Sequence, residues 1–201
     1  MTTLILVRHG ETDWNRDRRI QGSTDIPLND TGRQHARDAA VVLREQLGPD
    51  APAVVVSSDL SRARETAQII AGELGIRVSR LYPDLRERAY GEAEGISAEE
   101  FLSRWGDWHS AEVPGAEPWP DLRRRGLRAL RRVVRDARRE TAPVAASVIV
   151  VTHGAMIREL IRHATAGELP PVGERLANGS AHTMLYERER LRLLSYGPAA
   201  V

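Results

Sequence analysis

Three short apolar runs constrain the fold of this chain more than any other feature of its sequence. Residues 2–7, 53–57 and 147–151 are continuous β-prone stretches, and each is followed by a polar turn and then by a helical pattern. Strands that form unbroken apolar runs are typical of a parallel sheet covered on both faces. We therefore expect an α/β fold, a three-layer α/β/α sandwich with a mainly parallel central sheet.

Helical spacing of apolar residues places helices after these runs. The predicted helices run from Asp30 to about Leu47, from a cap at Ser58 or Asp59 to near Gly75, and from Gly154 to about Thr165. Residues 76–81, 181–186 and 191–194 are further strand candidates, and the last two should form a hairpin across residues 187–190. No repeat or linker interrupts the pattern, so we expect one domain over residues 1–201.

Residues 96–121 lack clean periodicity and contain Trp105, Trp108 and Trp119 together with several prolines. Such a segment within a compact α/β domain predicts a lid or substrate loop, or an inserted helix that packs its tryptophans on the core. The next segment, residues 121–140, contains nine arginines around an apolar helical stripe, with acidic residues interspersed and no interleaved aromatic residue. This pattern favours the solvated outer face of a helix over a nucleic-acid site.

Composition excludes several classes of function. The chain has no cysteine, so disulfides, thiolate chemistry and cysteine-ligated zinc are excluded. All 29 basic residues are arginine, and a net charge of +1 provides no field for a polyanion. The longest apolar runs have about five residues, too few to span a bilayer, and charged residues occupy the region where a signal peptide would be apolar. We expect a cytoplasmic protein with neither a membrane nor a nucleic-acid partner.

The residues that indicate chemistry follow the apolar runs. The first run ends in Arg8-His9-Gly10, the last in Thr152-His153-Gly154, and the middle run leads to Arg62. Ligands of open α/β sheets bind beyond the carboxyl ends of the strands, often against helix N-termini. Neighbouring strands would therefore bring two imidazoles and two guanidiniums into one cleft. A glycine after each histidine would let a bulky anion approach the backbone.

These residue types favour phosphoryl transfer. Arginine offers a rigid donor fork for phosphate oxygens, and a neutral imidazole can attack phosphorus. A metal would also explain paired histidines, but the neighbouring arginines would repel it and no H-E-x-x-H or carboxylate pair accompanies them. We therefore expect a phosphohistidine route with no metal and no cofactor. The acid that protonates the leaving oxygen should come from residues 85–95, where Glu87, Glu92 and Glu94 are the candidates.

Five segments resemble, in order, the motifs of the histidine phosphatase superfamily, the phosphoglycerate mutase-like enzymes. They are residues 6–12 (LVRHGET), 19–32 (RIQGSTDIPLNDTG), 57–67 (SSDLSRARETA), 85–95 (LRERAYGEAEG) and 151–154 (VTHG). The similarity is weak beyond about residue 165.

This resemblance implies a role for each matching residue. His9 would be the nucleophile, Glu87 the proton donor and later the base, and Glu94 a residue of local structure. Arg8, Arg62 and His153 would bind the phosphoryl group and stabilise its charge in the transition state. The phosphate pocket would be lined by Asn15, Gln21, Gly22 and Gly154.

The resemblance also divides between two activities. Residues 87–91 are similar to the mutase form of the acid motif, in which Arg88 and Tyr90 would contact substrate. The mutases also have a lysine and a longer insertion, whereas this chain has no lysine and only a short interval between Gly95 and Pro114. Residues 113–117 (VPGAE) resemble a Pro-Gly-Gly-Glu element of the phosphatases, with Ala116 in place of a glycine.

We therefore favour a metal-independent phosphatase acting on a small phosphorylated metabolite, with a cofactor-dependent phosphoglycerate mutase as the alternative. A catalytically inactive binding protein is disfavoured, because His9, Glu87 and both arginines are present. Phosphosugars, phosphoglycerate derivatives, phosphoserine and nucleotide-derived phosphates all remain candidate substrates, and the oligomeric state is open.

Overall fold

The computed structural model describes residues 1–108 and 110–197, which contain a six-stranded sheet. Its strands are β1 (Thr2–Arg8), β2 (Ala53–Ser57), β3 (Val78–Leu81), β4 (Ser147–Thr152), β5 (Ala181–Glu187) and β6 (Arg190–Tyr196). The strand order is β3-β2-β4-β1-β5-β6. The first four strands in that order are parallel, and β5 is antiparallel to both β1 and β6.

Six α-helices lie within the described ranges. They are α1 (Asp13–Arg16), α2 (Asp30–Leu47), α3 (Ser61–Glu73), α4 (Ala98–Trp105), α5 (Trp119–Thr141) and α6 (Gly154–Ala164), with 3₁₀ turns at Pro83–Leu85 and Gly91–Ala93. None of them is long and apolar enough to cross a membrane.

Alternate residues of the central strands pack against different helices. Leu4 and Leu6 of β1 belong to an apolar cluster with α5 and α6, whereas Ile5 and Val7 pack with α2 and α3. Side chains of a strand point alternately to its two faces, so an unbroken apolar run serves both layers. The predicted three-layer α/β/α sandwich with a mainly parallel sheet is confirmed.

Local expectations are met to different degrees. Helix α2 has the predicted bounds, and β5 and β6 form the predicted hairpin. Its turn residues, Arg188 and Glu189, have φ angles of 45° and 64°, as the favoured two-residue hairpin turn requires. The predicted cap of α3 is wrong: Leu60 is the N-cap and makes no side-chain cap hydrogen bond. Both predicted residues precede that position: the Ser58 hydroxyl accepts a hydrogen bond from the Leu60 N–H at 3.3 Å, and the Asp59 carboxylate pairs with Arg86.

The segment before α5 contains an inserted helix, α4, that packs on the core, whereas the lid or substrate loop stays a prediction. Phe101 of α4 is buried, and Trp105, Trp108 and Trp119 pack against the same apolar cluster as Leu4. Trp108 and Trp119 also line the cleft described below. Helix α5 buries its apolar stripe, and most of its arginines form ion pairs with neighbouring acids at partly exposed positions.

Two glycines fix the loop after β1 against the start of α2. A Cβ on Gly10 would lie 2.1 Å from the carbonyl oxygen of Gly32, and a Cβ on Gly32 would lie 2.0 Å from that of Glu11. Asn29 caps α2 by accepting a hydrogen bond from the Gly32 N–H at 2.8 Å. Gly10 is therefore required because a side chain there would clash with the backbone of Gly32. The sequence suggests a different reason, namely the close approach of an anion to the backbone.

One substitution at two helical glycines should have opposite effects. Gly32→Ala places a methyl group inside backbone contact distance, so we expect the free energy of unfolding to fall by about 1–3 kcal/mol or more. Gly72→Ala, at an exposed position of α3 with open space around it, should raise that free energy by up to about 0.5–1 kcal/mol, because alanine is the better helix former. Urea denaturation of both variants measures the difference. Equal effects at the two positions would contradict the close packing at Gly32.

Candidate active site

The predicted site residues gather at the carboxyl edge of the parallel strands. Strand β4 lies between β1 and β2, with Arg8 opposite Thr152 and Ser57 opposite Val151. This edge opens into a cleft of about 1420 Å³. Nine of the eleven predicted residues line it: Arg8, His9, Asn15, Gln21, Gly22, Arg62, Glu87, Tyr90 and Gly154. His153 and Arg88 lie behind this lining.

The imidazole of His9 is held in one tautomer. Its Nδ1 lies 2.7 Å from the carbonyl oxygen of Gly10. A carbonyl only accepts hydrogen bonds, so Nδ1 carries the proton and Nε2 presents its lone pair. Burial, together with the charges of Arg62 and Arg8, lowers the pKa of His9 well below its usual value. His9 is therefore a neutral imidazole with one nitrogen ready to react.

Unpaired polar atoms surround His9. The His153 ring is fully buried with its centroid 5.1 Å from that of His9, and neither of its nitrogens has a partner in the described chain. Burial, Arg62 and His9 lower the pKa of His153 as well. The Nε atoms of Arg8 and Arg62 are also buried without partners. Because buried polar groups are normally hydrogen-bonded, this cluster of free donors fits an anion such as a phosphoryl group.

Arg62, at the start of α3, is held by backbone carbonyls. Its side chain is fully buried, and that burial lowers its pKa. Nη1 donates to the carbonyl of Thr24 at 2.7 Å, and Nη2 donates to that of Gly22 at 2.8 Å. Asp25 ties the same loop to α3 by accepting a hydrogen bond from the Ser61 N–H at 2.8 Å. The loop at residues 21–25 therefore fixes the position of the Arg62 guanidinium.

Glu94 shapes that loop. Its carboxylate accepts hydrogen bonds from the backbone N–H groups of Ser23 and Thr24 at 2.8 and 3.0 Å and from both of their hydroxyls. It also accepts one from the Tyr90 N–H at 3.0 Å. Gly22 has a φ of +58°, and a Cβ there would lie 2.1 Å from Glu94 Oε1. Glu94 acts on Arg62 through the loop and does not line the cleft.

Glu87 occupies the start of α6. Its Oε2 accepts a hydrogen bond from the Ala155 N–H at 3.0 Å, and its Oε1 accepts from Met156 at 3.2 Å and from Arg88 at 2.9 Å. The helix N-terminus favours a negative group at this position. Since each carboxylate oxygen has two lone pairs, Oε2 retains one that can bind a proton. The residue is thus fixed beside Gly154 with one oxygen site available.

Tyr90 and Arg88 occupy different environments. The Arg88 guanidinium lies between the rings of Tyr90 and Trp119, 4.6 and 4.3 Å from their centroids, and its Nε donates to the Glu117 carbonyl at 2.7 Å. Tyr90 lines the cleft. Burial and the negative charge of Glu87 raise its pKa, so its hydroxyl stays protonated. Of this predicted substrate-contacting pair, the structure brings only Tyr90 to the cleft.

Asn178 is a site residue that the sequence analysis missed. Its Nδ2 donates to the carbonyls of His9 and Gly10 at 2.9 and 3.1 Å and to Asn15 Oδ1 at 3.1 Å. It thereby holds the loop that positions His9. The signal that was present, an Asn-Gly turn before β5, marks a turn without indicating its place beside β1. Arg158 and Arg175 also line the cleft and were not predicted.

The described residues provide no cluster suited to a metal ion. In residues 1–108 and 110–197, no group of three or more histidine, aspartate or glutamate side chains is placed to hold one. The charges of two cations, Arg8 and Arg62, act on both His9 and His153.

The Glu94 carboxyl predicts a pH dependence of stability. Burial raises its pKa, but the hydrogen bonds from Thr24, Ser23 and Tyr90 lower it by more, so the pKa lies below the usual 4.5. The ionised group therefore stabilises the fold above about pH 4.5, and this contribution is lost as the pH falls through the folded-state pKa. We expect Glu94→Gln to be less stable than the native chain near pH 7, with the gap narrowing towards pH 3.5.

Urea denaturation at several pH values measures this gap. Glu92→Gln, at an exposed position of the same segment, controls for the loss of one carboxylate. A gap that stays constant or widens on acidification would contradict the role assigned to Glu94.

Comparison with known proteins agrees with this geometry. Residues 4–198 match the histidine phosphatase superfamily (branch 1). The chain is 34% identical over 196 residues to the uncharacterized phosphatase PhoE of Bacillus subtilis strain 168, covering 98% of this chain and 94% of the relative. It is 36% identical over 170 residues to a metal-independent phosphoserine phosphatase of Arabidopsis thaliana, covering 80% and 67% of the two chains.

A solved structure gives the same result at the level of the fold. A mycobacterial glucosyl-3-phosphoglycerate phosphatase in complex with VO3 superposes with a TM-score of 0.80 at 27% identity, covering 99% of this chain and 100% of that chain. The site geometry and these comparisons together show that the chain belongs to branch 1 of the histidine phosphatase superfamily, whose enzymes are of the phosphatase and mutase type.

Proposed function

We propose that this protein is a metal-independent phosphomonoester phosphatase that transfers the phosphoryl group of a small metabolite to His9 and then to water. The observation that carries the proposal is the neutral His9 imidazole, whose Nε2 is free among the unpaired polar atoms of Arg8, Arg62 and His153. Arginine forks match phosphate oxygens, and fixed donors stabilise the charge that develops on them during transfer. Asn15, Gln21, Gly22 and Gly154 complete the lining around this position.

In the first step, Nε2 of His9 attacks phosphorus as the bond to the ester oxygen breaks. The departing oxygen receives the proton held on Glu87 Oε2, so the leaving group is an alcohol. The electron pair of the broken bond stays on that oxygen and binds the proton. Glu87 is left as a carboxylate, which the N–H groups of Arg88, Ala155 and Met156 stabilise. The Gly10 carbonyl stabilises the protonated Nδ1 of the phosphohistidine.

In the second step, a water molecule replaces the alcohol. The Glu87 carboxylate takes a proton from the water as its oxygen attacks phosphorus, and the P–N bond breaks with its electron pair returning to His9 Nε2. Inorganic phosphate leaves, Glu87 is again protonated, and His9 is again neutral. The burial and the arginine charges that lower its pKa favour that neutral state.

Water is the better-supported acceptor. Arg88, which the mutase-like motif would direct at a glycerate, is packed under Trp119 and hydrogen-bonded to Glu117. The chain also has no lysine for an acceptor pocket. Two of the similar proteins bear the names of a phosphoserine phosphatase and a glucosyl-3-phosphoglycerate phosphatase, which supports a small phosphorylated metabolite as substrate.

The proposed activity predicts phosphate release without any acceptor other than water. The enzyme should hydrolyse p-nitrophenyl phosphate in EDTA as fast as in Mg²⁺, and acid-labile, alkali-stable labelled phosphate should be trapped on the protein during turnover. His9→Ala should show neither result, because the proposed nucleophile is gone. Loss of activity in EDTA that a divalent ion restores would overturn the metal-independent route. Rapid interconversion of phosphoglycerates primed with 2,3-bisphosphoglycerate, with much slower hydrolysis, would establish the mutase instead.

The role of Glu87 predicts a dependence on the leaving group. Glu87→Gln retains the shape of the side chain but removes its proton, so kcat should fall by roughly 10²–10⁴ for alkyl phosphates. The loss should be smaller for p-nitrophenyl phosphate, whose leaving group needs little protonation. Steady-state kinetics on both substrates measure the two losses, and Glu92→Gln, at an exposed position of the same segment outside the cleft lining, is the matched control. Equal losses of Glu87→Gln on both substrates would contradict proton donation.

A further inference from the structure

A second cationic position lies in the cleft beyond the groups that act on the phosphate. Arg158 is on α6, one turn after Gly154 and on the same side of the helix. Four residues of helix advance by roughly 6 Å, so Arg158 stands that far along the axis from Gly154, which lines the same cleft as His9. Arg158 and Tyr90 both line this part of the cleft. A group two or three bonds beyond the phosphate ester can reach this distance.

Arg158 has no acidic partner, although it is half-buried. Its Nη2 donates to the backbone carbonyl of Glu174, but no ion pair of the described residues includes Arg158. The carboxylate of Glu174 instead accepts a hydrogen bond from the hydroxyl of Tyr196. A guanidinium has five N–H donors, so the hydrogen bond to Glu174 leaves it with donors for a ligand in the cleft. Burial lowers the pKa of Arg158, although the negative charge of Glu174 acts to raise it.

Arg175 adds charge at the rim of the same cleft. It lies in the segment between α6 and β5, and its positive charge acts on Arg8. Hydrogen bonds hold this segment at the site: the Leu176 carbonyl accepts from the Arg8 guanidinium, and the Gly179 N–H donates to the Arg8 carbonyl at 3.0 Å. Like Arg158, Arg175 forms no ion pair with a described acid. Two arginines that form no ion pair within the described residues therefore line the cleft.

We propose that Arg158, assisted by Arg175 at the rim, binds a carboxylate of the substrate, so that the enzyme prefers phosphomonoesters with a carboxylate a few bonds from the phosphate. This inference rests on the proposed phosphatase function and specifies its substrate class. The planar fork of arginine matches a carboxylate with two parallel hydrogen bonds. The position suits this role because Arg158 lines the cleft, whereas Arg88 packs over the rings of Tyr90 and Trp119 and does not line it.

Two substrates that differ by one group test the proposal. O-phosphoserine and O-phosphoethanolamine share a phosphate ester and an amine, and only the first has a carboxylate. We expect the native enzyme to have the higher kcat/KM for O-phosphoserine. Arg158→Gln should reduce that preference by about 10- to 100-fold, the range for hydrogen bonds between charged groups. Most of the change should be in the KM for O-phosphoserine, because the carboxylate lies away from the reacting phosphorus.

Two further variants separate recognition from structural damage. Arg162→Gln makes the same change one turn further along α6, at a residue that does not line the cleft, and should retain the preference. Arg158→Lys keeps the positive charge but lacks the planar fork of donors, so it should recover part of the preference for O-phosphoserine. An enzyme that hydrolyses p-nitrophenyl phosphate but does not distinguish the two substrates would overturn the carboxylate site alone. Equal losses of kcat/KM on both substrates in Arg158→Gln would also overturn the carboxylate site. Failure to hydrolyse any phosphomonoester would overturn the phosphatase function and this inference together.

Discussion

The site depends on a guanidinium that is buried without a carboxylate. Arg62 would lose much of its hydration on folding, and only the carbonyls of Gly22 and Thr24 replace it. This arrangement leaves the guanidinium with carbonyl partners and no direct carboxylate partner, and its charge acts on His9 and His153 and favours their neutral forms. A carboxylate in place of the carbonyls would cancel the field and weaken the attraction for a phosphate dianion. The loop at residues 21–25 is therefore as necessary as the arginine itself.

Helix α6 serves the chemistry in a different way from the one its sequence suggests. A helix N-terminus beyond a parallel strand is a common anion site, and a substrate phosphate is the expected occupant. Here the Ala155 and Met156 N–H groups donate to Glu87, so the helix fixes a protein carboxylate beside the reacting group. In the proposed mechanism, the arginines are left to hold the phosphate. Positioning the acid and binding the anion are thereby assigned to separate elements.

Much of the fold could be predicted because its evidence is local. The central strands are apolar on both faces, and α2 shows helical spacing throughout, so their bounds follow from the pattern of the residues themselves. The His-Gly steps at strand ends likewise indicate one edge of the sheet. Arg88 is a different case, because its position depends on packing against Trp119, 31 positions further along the chain. Asn178 and Arg158 could not be assigned for a related reason: their contacts come from an irregular segment that has no periodicity to interpret.

That irregular segment, between α6 and β5, is anchored at its end and exposed in its middle. The Ser180 carbonyl accepts a hydrogen bond from the Arg8 N–H at 3.0 Å, whereas Val172 is 88% exposed at the lip of the cleft. Substitutions in the middle of the segment can change the shape and charge of the entrance without moving β1 or the histidine that follows it. Duplicated copies of such a gene can therefore diverge in the metabolites they accept while conserving one reaction, and change in this short stretch is the least disruptive route to a new substrate.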